Sequence, residues 1–205
     1  MSADGDRKRA QEFSQVVSAI ENKKMHDINL NWTLNLMSSG ESVFITDNTT
    51  NGKKLMKFQS YSHNHADKVL PRSLINETKN VILRVTGDLN SAPKARKAIE
   101  SQLFREGWSD PMPIDPNANI TITSMKDDVG LCLQFGNMSR FYADLLKLQH
   151  LYATKRISGA IYILPESAYA KELGSNLAND ARFTNELSIF ESIITIPLMV
   201  FGVWN

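Results

Sequence analysis

At 205 residues and 42% hydrophobic side chains, the chain is long enough for one sizeable domain, or a domain with a small appendage, and for a packed core. Lys and Arg total 23 against 22 Asp and Glu, so bulk charge announces no nucleic-acid binder, and any such contact must come from local basic patches. Cys132 is the only cysteine, which excludes an intramolecular disulfide and a cysteine-built zinc centre and fits a reducing compartment.

The opening stretch, "MSADGDRKRAQEF", lacks the apolar run of a signal peptide. The longest apolar run, Ile193 to Trp204, is short for a membrane span and broken by Pro197, so it reads as a buried terminal strand and the chain as a soluble cytoplasmic protein. From Asp6 to Asn22, Ala10, Phe13, Val16, Val17 and Ile20 recur at helical spacing. Arg7, Lys8 and Arg9 near the start of that helix oppose its macrodipole, so they are either solvated or put to another use.

From Ile28 the pattern becomes strict alternation, with Ile28, Leu30, Trp32, Leu34 and Leu36 on one face. Turn signals around "SVFIT" and "KKLMKFQSY", above all Asn51-Gly52, predict a three-stranded antiparallel meander over Ile28 to Tyr61. Leu74, Ile75, Thr78, Val81 and Ile82 then predict a helix starting near Pro71, and "SAPKARKAIESQLFREGW" a second one with Pro93 in its first turn and Gly107 at its end.

A Pro-rich connection, "SDPMPIDPNAN", leads into two strands, "ITIT" and "VGLCLQF". The helix "SRFYADLLKLQHLYATKR" carries apolar residues on more than one face and is expected to be well buried. Strand "ISGAIYIL", helices over Pro165 to Leu173 and Arg182 to Ser192, and strand "IPLMVFGVW" complete an α/β core. Its mostly apolar strands, separated by helices, predict a mixed sheet covered on both faces.

Five stretches carry a resemblance when taken in order: "HNHADKVL", "VGLCLQFGN", "YADLLKLQHLY", "IYILP" and "PLMVFGV". Over Tyr61 to Trp204 their succession resembles the BglII and BstYI type restriction endonucleases, members of the PD-(D/E)XK nuclease fold. The resemblance implies a restriction-endonuclease-like core over residues 59–205, with residues 1–58 as an N-terminal extension of helix and β-meander. Such nucleases place an Asp on one strand and Glu-x-Gln on the next, because two carboxylates hold Mg²⁺ through hard oxygen donors and the metal supplies hydroxide.

Matching "LCLQFGN" to that pattern keeps Gln134 and Phe135, puts Cys132 in place of the Glu, and puts Thr123 in place of the Asp nine residues upstream. A thiol and a neutral hydroxyl are poor partners for a hard cation, which points to a degraded centre. Relocated ligands are the alternative: Asp115, Asp127, Asp128 and Glu77 for catalysis, with Asp127, Asp128 and Glu77 as candidate metal ligands. Against this, the two adjacent Asp residues also suit a solvated turn, Glu77 an exposed helix position, and Cys132 a small buried apolar site.

The resemblance further implies that the residues after the Gln strand enter the major groove, here Asn137, Ser139 and Arg140 at a helix start. Lys53, Lys54 and Lys57, with Arg7 to Arg9, are candidates for phosphate contacts. The tripeptide His63-Asn64-His65 is too short to be an HNH nuclease, and His26 and His150 show no partner pattern.

Three readings follow. The first is a duplex-DNA-binding protein with a degraded centre and no cofactor, as a homodimer or beside an active partner subunit. The second is a Mg²⁺-dependent endonuclease with relocated carboxylates. The third is a protein-interaction module, or pseudo-subunit, that no longer binds DNA.

Overall fold

The computed structural model describes residues 55–205 together with two short strands, β1 (Trp32–Leu34) and β2 (Ile45–Asp47), which pair antiparallel. The chain divides into two compact units, Met1–Gly52 and Lys53–Asn205. The expected helix over Asp6 to Asn22, the basic residues Arg7 to Arg9, His26, the Asn51-Gly52 turn, Lys53 and Lys54 lie outside the described residues.

The second unit is built on β3 (Lys57–His63), β6 (Ser124–Lys126), β7 (Val129–Leu133), β8 (Gly159–Pro165) and β9 (Leu198–Trp204), in spatial order β3-β9-β8-β7-β6. β7, β8 and β9 run parallel, and antiparallel β6 and β3 border them, so the sheet is mixed as expected. The meander expectation is corrected at its third strand. The segment containing Lys57 pairs with the C-terminal strand, Lys57 opposite Trp204 and His63 opposite Leu198, and its sheet does not include β2. Alternation identifies a strand but not its partner, and here the partner is the seven-residue strand at the far end of the sequence.

The parallel strands need crossovers, and these are helical. α4 (Arg140–Ala153) joins β7 to β8, while α5 (Ser167–Leu173) and α6 (Asp180–Ile189) join β8 to β9. Before them come α1 (Ala66–Val69), α2 (Arg72–Arg84) and α3 (Ala92–Arg105). Alternate residues of each central strand point to opposite faces, as the two-residue strand period requires. Leu131, Ile161, Ile163, Met199 and Phe201 meet α2 and α3 through Leu74, Ile82, Ile99 and Leu103. Cys132, Tyr162, Leu164 and Val200 meet α4 and α6 through Phe141, Leu145, Leu148, Phe183 and Leu187.

On that second face the Tyr162 and Phe183 rings stack at 4.4 Å and Phe141 meets Phe183 edge-on at 5.3 Å, fastening both helices to the sheet. Each such fully buried large side chain contributes about 1.5–3 kcal/mol.

Helix α2 buries the five residues its spacing predicts, Leu74, Ile75, Thr78, Val81 and Ile82. Two smaller expectations are corrected. The Pro-rich connection contains a strand, β4 (Met112–Pro113), paired with β5 (Thr121–Ile122), so only part of "ITIT" is strand. Helix α4 buries one face only: Leu146 is 64% exposed and Tyr142 36%, so its second apolar face is not covered within the described residues.

The first residues of α6 are set by a buried carboxylate. Asp180 accepts hydrogen bonds from Gln59 of β3, from Ser167 Oγ at 3.3 Å and from Ala181 N at 2.7 Å, and lies directly against Gly202 of β9. A Cβ at Gly202 would fall 2.7 Å from Asp180 Cγ and 2.8 Å from its Cβ. Gly202→Ala is therefore expected to cost about 2 kcal/mol through overpacking, seen as a lower urea midpoint with an unchanged m-value.

Candidate functional site

Strand β7 ends at Leu133, but the parallel ladder continues for one more bond, Gln134 N donating to Ile163 O at 2.9 Å. That extension keeps Gln134 on the same side of the sheet as Cys132, facing α4. Around it opens a cleft of about 590 Å³ between the first turns of α3 and α4 and the end of β7. Its lining includes Thr123, Gln134, Gly136 and Arg140, together with Arg96, Glu100, Asp144 and Lys147.

The structure thus brings together Thr123, Gln134 and Arg140, with Cys132 buried beneath them. Thr123 Oγ1 accepts from Leu133 N at 3.0 Å, tying the end of β5 to β7. Gln134 bridges in two directions: Oε1 accepts from Gly136 N at 2.8 Å and Nε2 donates to Asp144 Oδ2 at 2.7 Å. The same Asp144 oxygen accepts from the Tyr162 hydroxyl at 3.1 Å, while Lys147 Nζ pairs with Oδ1 at 2.9 Å. Asp144 is 8% exposed, so its charge is held by three donors rather than by water.

Burial pushes the Cys132 thiol far up, and the nearby Asp144 carboxylate adds to the effect. Burial and then Asp144 push the Tyr162 phenol up as well, so it stays a proton donor. Neither group supplies an anion to a metal at neutral pH. The Thr123 hydroxyl and Gln134 Oε1 accept backbone bonds, and the two carboxylates that line the cleft, Asp144 and Glu100, are each ion-paired, so a Mg²⁺ ion held there by carboxylates and water would have to compete with Lys147 and Arg96. Among the described residues no group of three His, Cys, Asp or Glu side chains converges as a metal site.

The other expected carboxylates do not line this cleft. Asp127 and Asp128, with φ of 47° and 58°, form the two-residue turn between β6 and β7, a position that favours Asp for its tolerance of left-handed backbone. Asp115 Oδ1 accepts from Asn117 N at 2.7 Å in the β4–β5 loop. Glu77 pairs with Lys126 Nζ at 2.8 Å and accepts from Trp108 Nε1 at 3.1 Å.

Asn137 and Ser139 are exposed just before α4, and Asn137 Oδ1 accepts from both Ser139 N and Ser139 Oγ at 2.9 Å. Lys57 is exposed on β3. The described histidines do not line the cleft: His63 is buried with Nε2 2.7 Å from Ile194 O, and Asn64 and His65, at φ of 47° and 57°, turn the chain into α1. His150 is exposed on α4.

Sequence reading missed Asp144, Lys147, Tyr162, Arg96 and Glu100. A signal for Asp144 exists: it shares the buried face of α4 with Phe141, Leu145, Leu148 and Leu151, where a carboxylate needs a partner. Asp144→Ala would leave Gln134 and Tyr162 without their acceptor and Lys147 without its ion pair. The expected loss is about 3 kcal/mol, measured by chemical denaturation.

With this geometry in view, comparison with known proteins is specific. The family model described as Restriction endonuclease BglII/BglIII matches residues 58–203. The fold is similar to restriction endonuclease BglII complexed with a DNA 16-mer, with a TM-score of 0.64 and 18% identity over 73% of this chain and 78% of that one. It is also similar to free BglII, with a TM-score of 0.57 and 18% identity over 73% and 80%. No curated protein sequence matches significantly. Since the model spans well over half of its length, the chain belongs to the BglII/BglIII restriction endonuclease family.

Proposed function

We propose that the protein binds duplex DNA without hydrolysing it by divalent-metal chemistry. One observation carries this reading: where the family's Glu-x-Gln strand leaves the sheet, both carboxylates of the cleft are paired, Asp144 with Gln134, Tyr162 and Lys147 and Glu100 with Arg96, and the thiol at the Glu position is buried and protonated. Around that neutralised pair the cleft presents Arg96 and Arg140, groups suited to phosphate and base edges. The related BglII structure with a DNA 16-mer supports duplex DNA as the partner.

Asn137 and Ser139 are the candidate groove contacts, Arg140 beside them can pair with guanine or with phosphate, and Lys53, Lys54 and Lys57 are further phosphate contacts. The expected outcome is duplex binding at low ionic strength in EDTA, weakened about tenfold by Arg140→Ala, with no plasmid nicking in Mg²⁺ or Mn²⁺. Metal-dependent nicking by the wild type that EDTA abolishes would establish the endonuclease reading instead. Absence of duplex binding at low salt would leave the protein-interaction module.

The same reading takes the protein as a homodimer, because a two-fold duplex site is matched by a two-fold protein. Tyr142 and Leu146 on α4 and Phe190 after α6 are exposed, Tyr142 and Phe190 with ring centroids 6.4 Å apart, and a second copy covering them accounts for the bare face of α4. Light scattering should give twice the chain mass for the wild type and the single chain mass for Leu146→Glu.

A further inference from the structure

The cleft holds three cations, Arg96, Arg140 and Lys147, and two carboxylates, Glu100 and Asp144. The two ion pairs differ in kind. The Lys147 and Asp144 side chains are 24% and 12% exposed and locked into the Gln134–Tyr162 network. Arg96 and Glu100, 2.8 Å apart and four residues apart on α3, are 37% and 39% exposed, and such a pair contributes little in water.

Arg96 is also fixed independently of Glu100, because its guanidinium donates to Leu133 O at the end of β7. A guanidinium has five N–H donors in a planar fork, so this anchor leaves others for an anion. The first turns of α3 and α4 both contribute to the cleft lining, neither contains an acidic residue, and neither helix has a side-chain cap at its N-terminus. Both helix dipoles therefore add positive potential to the space the cations line.

We infer that the cleft seats one backbone phosphate of the duplex on Arg96 and Arg140 with no metal ion, and that Glu100 occupies Arg96 until the phosphate displaces it. This rests on the duplex-binding reading and names the contact made at the exit of β7. Lys147 keeps Asp144 paired throughout, so the displaced Glu100 is the one carboxylate that the phosphate sets free in the cleft.

Fluorescence anisotropy with a labelled mixed-sequence duplex over a series of salt concentrations tests it. Arg96→Gln should weaken binding about tenfold and lower the salt slope by about one unit. Glu100→Gln should tighten binding about threefold, a gain that misfolding cannot imitate. EDTA should change none of these values, and Lys171→Gln, an exposed charge that does not line the cleft, should leave the affinity near that of the wild type. Duplex binding that is the same in wild type, Arg96→Gln and Glu100→Gln overturns the cleft assignment and leaves the duplex reading standing. Weakening by both variants makes Arg96–Glu100 a structural brace and also overturns it. A wild type that binds no duplex at low salt removes the duplex reading itself.

Discussion

One carboxylate organises the functional end of this domain. Asp144 receives a hydrogen bond from Gln134 at the exit of β7, a second from Tyr162 on the neighbouring parallel strand, and an ion pair from Lys147 one turn along its own helix. Strand exit, adjacent strand and crossover helix are thereby held in one register by a single group. A charge so little exposed to water is tolerated only while every partner is present, because the interior neither solvates it nor screens it. The floor of the cleft is built from the donors that satisfy Asp144.

The thiol at position 132 illustrates the consequence. On the sheet face toward α4 it lies among apolar residues and near the Asp144 carboxylate, two effects that act together against ionisation. A carboxylate placed there would face Asp144 as a like charge. Thr123, Cys132 and Asp144 therefore form a coherent set: two neutral groups beside one anion whose charge is already balanced.

Much of the fold was legible in the sequence because it is written in local periodicity. The five inward residues of α2, the helical crossover after "LCLQFGN" and the apolar terminal strand each follow from spacing within a dozen residues. What was not legible depends on distant partners. The pairing of β3 with β9 and the brief β4–β5 ladder across a Pro-rich loop are tertiary choices. The cleft was half legible: Thr123, Gln134 and Arg140 meet there, but Asp144 was hidden inside an otherwise ordinary helix pattern. Asp127 and Asp128 drew notice as an acidic pair, yet their backbone shows them serving a tight hairpin turn.

The pairing of β3 with β9 also has a mechanical meaning. Lys57, where the chain enters the sheet, lies opposite Trp204, the last residue of β9. A force applied between the start of β3 and the end of β9 therefore reaches the ladder at one extremity. It pulls across the strands, along the direction of their hydrogen bonds, which break one after another rather than all at once. A seven-pair ladder that contributes to cooperative thermal stability thus opens like a zipper under tension, with β3 peeling away before the parallel strands and the cleft beyond them bear load.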